Sequence, residues 1–263
     1  MSQIKIMGIL NATPDSFFEG SRIVNNKVVD LAGRMLDDGS DILDIGGQST
    51  RPGALTVSAT EEADRVIPII ENIISAFPLS TVSIDTFYSS VAKQAVAAGA
   101  GMVNDISAGD DDEDMLNFIA EKNITFVAMH KQGNPQTMQQ KPEYEHVTEQ
   151  VIGYFRKKQD IFNSMGIKNW ILDPGFGFGK TIEHNFQLLG ELQQFRMLGK
   201  PVLVGISRKS MIWKTLQTTA EKALNGTTAL HMTALINGAD ILRVHDVKEA
   251  KECVTLYQAL HGK

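Results

Sequence analysis

Two cations and two hydroxyls stand in a row at Ser207-Arg208-Lys209-Ser210, directly after the apolar run 202–206. A basic, hydroxyl-bearing turn that opens a helix suits an anion, because backbone N–H groups at a helix start point at it. Arg243 and His245 follow another apolar pair, Ile241-Leu242. With Lys209 they would make a cationic pocket for phosphate oxygens. A solvated basic loop is the competing reading. Asn11 follows the run 4–10. Its neutral amide oxygen suits Mg2+, which keeps several waters and takes few protein ligands; the same amide also suits holding the turn after it. Asp85, Asn104 and Asp173 follow further apolar runs. A carboxylate accepts two parallel hydrogen bonds from a guanidine-like N–C–N edge, and an amide both donates and accepts. Such a set reads a pterin or purine edge, or else forms polar networks at a rim.

Nearly every apolar run ends this way, Asp44 and His130 included. The runs alternate with helical periods about eight times, at roughly 30-residue spacing. Polar groups at one end of many strands are costly unless they share a purpose. In an eight-stranded parallel barrel that end is the catalytic rim, and the seventh and eighth loops hold phosphate. The expected fold class is α/β, a single-domain TIM (β/α)8 barrel over residues 1–263. A doubly wound sheet would place ligands at one switch point and leaves the other polar strand ends unexplained. Helices are expected at 61–76 after a Thr60 cap, at 182–192 after Thr181, at 221–237 and at 247–260. Three recurring phrases, beginning at Asp38-Gly39, Ala98-Gly99 and Asn237-Gly238, read as glycine helix stops before a strand.

Hydrophobic residues make up 43% and charged residues 21% of the chain, as in ordinary globular proteins. A net charge of −6 argues against a nucleic-acid partner but leaves an anionic substrate open. No apolar stretch approaches the roughly 20 residues of a membrane span. The single cysteine, Cys253, points to a reducing compartment, and no secretory leader is visible, so a cytoplasmic location is expected. Gly175-Phe176-Gly177-Phe178-Gly179-Lys180 has neither dinucleotide nor P-loop spacing, and reads as a flexible rim loop with stacking phenylalanines. The acidic run 110–113 reads as charges stabilising a helix start. Segments 13–21 and 46–58 are long and turn-rich, as lids are. The scattered histidines offer no zinc spacing.

In order along the chain, Met7-Gly8-Ile9-Leu10-Asn11-Ala12-Thr13-Pro14-Asp15-Ser16-Phe17 and Asp44-Ile45-Gly46-Gly47-Gln48-Ser49-Thr50-Arg51-Pro52-Gly53 resemble the two opening signatures of the dihydropteroate synthase family. The resemblance continues through Ser83-Ile84-Asp85-Thr86, Val103-Asn104-Asp105-Ile106, Met129-His130, the segment from Leu172 to Lys180, Gly205-Ile206-Ser207-Arg208-Lys209-Ser210 and Arg243-Val244-His245-Asp246.

This resemblance implies a transferase that joins 6-hydroxymethyl-7,8-dihydropterin diphosphate to 4-aminobenzoate, with Mg2+ as cofactor, and that forms a homodimer through late helices. It assigns catalytic roles to Asp85, Lys209, Arg51 and Glu19. The pterin would meet Asp85, Asn104, Asp173, Lys209, Met129, Phe178 and Gly205. The diphosphate would meet Asn11, Arg243 and His245, with Asn11 as metal ligand. Aminobenzoate would meet Thr50, Arg51, Pro52, Phe178, Lys209 and Ser210. Departures are small: Glu19 stands where the family usually has aspartate, and few residues precede the first strand. Phe17-Phe18-Glu19 and Ser21-Arg22 resemble sulfonamide-resistant relatives, whereas Ser49-Thr50-Arg51-Pro52-Gly53 looks like the drug-sensitive form; on the second, sulfonamides are expected to compete with aminobenzoate. A pterin-dependent methyltransferase has no diphosphate to bind, which disfavours it here. A Schiff-base role for Lys209 is disfavoured by adjacent Arg208. A non-enzymatic pterin-binding paralogue is disfavoured because Asn11, Arg51, Lys209, Arg243 and His245 occur together.

Overall fold

The computed structural model describes residues 3–12, 22–48, 56–133, 138 and 142–262. Eight parallel strands, β1 (Lys5–Asn11), β2 (Ile42–Gly46), β3 (Thr81–Asp85), β4 (Met102–Asp105), β5 (Thr125–Met129), β6 (Trp170–Asp173), β7 (Leu203–Val204) and β8 (Ile241–Val244), run in the order β6-β5-β4-β3-β2-β1-β8-β7. The remaining gap closes through a parallel bridge between Leu172 and Val202, with Leu172 N–H donating to the Pro201 carbonyl at 2.9 Å. The result is a nearly closed (β/α)8 barrel. Between the strands lie α1 (Arg22–Asp37), α2 (Ala59–Ala76), α3 (Ser89–Ala97), α4 (Glu113–Lys122), α5 (Val147–Ser164), α6 (Ile182–Gly190), α7 (Ser210–Thr215) and α8 (Leu224–Ile236); α9 (Val247–Leu260) follows β8.

Strand alternation sorts the side chains into two sets. Met7, Ile42, Met102, Val127, Ile171, Leu203 and Ile241 fill the barrel interior as one cluster. Neighbours of opposite phase, such as Ile6, Leu43, Val103, Phe126, Leu172 and Leu242, pack outward in the core shared with the helices. Two residues beyond the interior set, on the same face, come Asp44, Asn104, Met129, Asp173, Gly205 and Arg243. The step of two that fills the lower barrel with apolar groups therefore aims a polar layer at its C-terminal mouth.

The helix stops behave as expected: Gly39, Gly99 and Gly238 all adopt positive φ. Some boundaries differ. Ser58, not Thr60, caps α2, its Oγ accepting from Glu61 N–H at 3.2 Å. The expected helix at 221–237 splits into a 3-10 turn at Ala220–Lys222 and then α8. Arg208 Nη1 donates to the Ala220 and Glu221 carbonyls at 3.1 and 2.7 Å, where the chain makes the 3-10 turn. Thr181 caps α6 with a capping box through His184.

Candidate active site

The floor of the mouth is one guanidinium between two carboxylates. Arg243 Nε donates to Asp44 Oδ2 and Arg243 Nη2 to Asp85 Oδ2, both at 2.6 Å. Asn104 Nδ2 donates to the same Asp44 oxygen at 3.0 Å. Asp44 is wholly buried, and its Oδ1 has no hydrogen-bond partner among the described residues. Register sets these contacts: Asp85 pairs with Asn104 across β3 and β4, and Met7 pairs with Arg243 across β1 and β8. Burial pushes the Asp85 carboxyl up to about 7 against the pull of Arg243, and Asp44, Asp105 and Asp173 add to the rise. Burial alone would lower Arg243; the carboxylates of Asp44 and Asp85 outweigh it and raise the guanidinium further.

Asp173 faces Met129 in register on β5 and accepts the Gly175 N–H at 2.8 Å. Burial raises its carboxyl, opposed chiefly by Lys209. Lys209 donates to the Phe176 carbonyl, and its Nζ lies 4.9 Å from the centre of the Phe178 ring. Burial lowers this ammonium to about 8 against the pull of Asp173. A Cβ on Gly205 would lie 3.8 Å from Arg243 Cβ and 3.9 Å from Lys209 Nζ, so glycine leaves room between the two cations. His245 Nδ1 lies 3.0 Å from Ser207 Oγ. Ser210 opens α7, and half-buried Asn11 ends β1 beside Gly46.

Asp85, Asn104, Asp173, Lys209, Met129, Phe178, Gly205 and Arg243 thus converge at one mouth, with Asn11, His245 and Ser210 at the same strand ends. Glu19, Thr50, Arg51 and Pro52 lie outside the described residues. Arg243 differs from a free phosphate cation, because two carboxylates already hold it. Arg208 is not in the cationic pocket at all: it grips Asp246 with two bonds of 2.8 Å and adopts φ +54. The 175–180 segment is pinned rather than loose, with Phe176 wholly buried and Lys180 Nζ donating to the Gly175 and Phe178 carbonyls at 3.0 and 3.1 Å. In the acidic run only Asp112 caps α4; Asp110 pairs with Lys158, and Asp111 with Lys131. Three contributors escaped the residue-by-residue reading: Asp44 as a ligand of Arg243, Lys180, and Glu62. Buried Glu62 accepts from Thr86 Oγ1 at 3.0 Å and Gln48 Nε2 at 3.2 Å, tying the β2 and β3 exits together. Asp44 shares the phase of Ile42 and was traceable by that signal; Glu62 looks like any first-turn helix acid.

A parallel barrel with this carboxylate–amide–guanidinium floor has the form of a TIM-barrel enzyme with a polar site at its C-terminal mouth. Residues 7–245 match the family model described as pterin binding enzyme. The dihydropteroate synthase of Escherichia coli (strain K12) is 41% identical over 264 residues, covering 98% of this chain and 92% of its own. The Yersinia pestis dihydropteroate synthase, solved with a sulfonamide drug complex, superposes with a TM-score of 0.93 at 38% identity, covering 99% of this chain and 95% of that one. The Xanthomonas albilineans enzyme, solved with 4-aminobenzoic acid, gives a TM-score of 0.92 at 38% identity, covering 99% and 94%. In complex with 7,8-dihydropteroate it gives 0.88 at 36%, covering 99% and 95%. The chain belongs to the pterin-binding enzymes and, within them, to the dihydropteroate synthase family of transferases.

Proposed function

We propose that this protein condenses 6-hydroxymethyl-7,8-dihydropterin diphosphate with 4-aminobenzoate, giving 7,8-dihydropteroate and pyrophosphate. The observation that carries the reading is the buried set Asp44, Asp85, Asn104 and Asp173 with half-buried Arg243, two residues above an apolar barrel interior. The ligands named for the Xanthomonas relative support it.

Asp85, Asn104 and Asp173 read the pterin edge, with Lys209 against the ring and Met129, Phe178 and Gly205 shaping its walls. His245 and Arg243 face the diphosphate end. By position in the sequence, Thr50, Arg51 and Pro52 frame aminobenzoate with Ser210, and Glu19 belongs to the first lid. The C–O bond to diphosphate breaks with its electron pair on the leaving oxygen, leaving positive charge on the pterin methylene. The floor carries two carboxylates against one guanidinium, so Asp85 stabilises that charge without bonding to it. The neutral arylamine then forms the C–N bond and loses its proton to water.

Among the described residues no group of three or more His, Cys, Asp or Glu side chains could hold a metal. A half-buried amide oxygen at Asn11 still fits a Mg2+ ion that arrives with the diphosphate and keeps its waters. Asn11 would hold it, and its chemistry is neutralisation of leaving-group charge. A second copy would cover α8 and α9, which pack together and expose Ile236, Leu256 and Leu260. A cytoplasmic setting agrees with buried, unpaired Cys253; no described helix is long and apolar enough to cross a membrane.

Purified protein mixed with the pterin diphosphate, Mg2+ and 4-aminobenzoate is expected to release dihydropteroate and pyrophosphate in equal amounts. No dihydropteroate would end the reading. Pyrophosphate release that strictly needs aminobenzoate would end its dissociative form alone.

A further inference from the structure

Lys180 lies behind the polar floor, 2% exposed, at the start of α6. Its Nζ is 3.0 Å from the Gly175 carbonyl, 3.1 Å from the Phe178 carbonyl, 3.4 Å from the His130 carbonyl and 3.0 Å from His130 Nδ1. Burial lowers Lys180 to about 7 against the pull of Asp173; as an ammonium it donates three hydrogens and accepts none, and in that form His130 Nδ1 accepts and the ring proton sits on Nε2. Burial holds His130 well below its ordinary value, which keeps the imidazole neutral and able to accept.

These contacts close a turn. Phe178 N–H donates to the Gly175 carbonyl at 3.1 Å, and Lys180 ties both of these carbonyls to the β5 exit. The turn sits so close to that exit that a Cβ on Gly175, at φ +72, would lie 1.8 Å from the His130 carbonyl oxygen. Inside the same turn, the Phe176 carbonyl accepts from Lys209 and the Phe178 ring faces Lys209 Nζ. A Cβ on Gly177 would touch Lys209 Cδ at 3.4 Å. Two lysines therefore grip one short segment: Lys180 holds the Gly175 and Phe178 carbonyls, and the Phe176 carbonyl between them, with the Phe178 ring, sets Lys209.

We propose that Lys180 is a positioning residue for pterin capture, acting through the 175–178 turn on the Nζ of Lys209. The proposal rests on the reading that Lys209 meets the pterin. Without the ammonium, buried carbonyls and an imidazole nitrogen lose their shared donor, and the turn is left with its bonds to Asp173 and Asn185 but without its tie to the β5 exit. Lys209 then keeps its charge but loses its fixed place.

The test is calorimetric binding of the pterin diphosphate to four proteins: the wild type, Lys180→Met, Lys209→Met and the double variant. Lys180→Met is expected to weaken binding on the order of tenfold, as a misplaced contact group does. In the Lys209→Met background the same change is expected to cost less than about threefold, because coupled residues are not additive. Lys180→Gln keeps two donors and is expected to fall between wild type and Lys180→Met. It carries the same cycle if the methionine variant does not fold. An equal loss in both backgrounds, or no loss at all, overturns the proposal while the functional reading stands. A wild type that binds no pterin overturns both.

Discussion

Replacing Arg243 with methionine removes the only cation in contact with two buried carboxylates of the floor among the described residues. The Nε and Nη2 bonds to Asp44 and Asp85 are both 2.6 Å, and Asp44 Oδ1 already lacks a partner among the described residues. Breaking a buried pair from one side costs about 3–5 kcal/mol. Arg243 retains 20% side-chain exposure, so water repays part of the loss and the lower end applies, about 3 kcal/mol. For a chain of this size that corresponds to a melting temperature lower by about 10 °C. The deficit also depends on pH. A carboxyl whose folded pKa lies above its unfolded value favours folding at low pH and loses that contribution as pH rises through the folded value. Asp85 is already pushed up to about 7, and loss of Arg243 pushes it further. Thermal melts should therefore show a small deficit near pH 5 and the full one near pH 8. Adding Asp44→Asn should recover part of it, because one stranded charge disappears. A variant as stable as the wild type at both pH values would refute the reasoning. So would a double variant no better than the single.

Lys209→Ala should weaken pterin binding roughly 10–100-fold by calorimetry, as expected for losing a charge-assisted contact. Gly175→Ala should cost several kcal/mol or prevent folding, since its Cβ would lie 1.8 Å from a carbonyl oxygen. Gly153→Ala, inside α5 with nothing within 4 Å of the new Cβ, should gain about 0.5–1 kcal/mol in urea melts. Burial raises Glu62 to about 7 from 4.5, so its contribution to stability falls as pH climbs between those values. Glu62→Gln should flatten the stability profile across that window; an unchanged profile would mean that the carboxyl is not the source.

The barrel and its working end were legible because strand alternation is strict. Asp85 and Asp173 close their strands, and Asn104 stands one residue before the end of β4, in the phase that the interior residues Met102 and Ile171 also occupy. Partner choice was not legible. Arg243 reaches Asp44 across 199 positions and Asp85 across 158, and a sequence cannot distinguish these carboxylates from phosphate as the partner of a guanidinium. Arg208 and Lys209 read alike in a row, yet the left-handed backbone at Arg208 accompanies its turn toward Asp246. Phe176 and Phe178 also read alike, and the turn tied by Lys180 buries the first while half-exposing the second. Such choices depend on three-dimensional neighbours, whereas helix starts depend on a single cap; Ser58 preceding Thr60 was a local competition between two good caps.

The central claim is that the acidic floor recognises the N–C–N edge of a pterin. The most direct measurement compares equilibrium binding of the pterin diphosphate with that of its analogue lacking the 2-amino group, in the wild type and in Asp173→Asn. The account predicts a wild-type preference for the parent of at least about tenfold, because a site built for a donor is left unpaired by the analogue, and a much smaller preference in the variant. Equal affinity of the wild type for both ligands would contradict it.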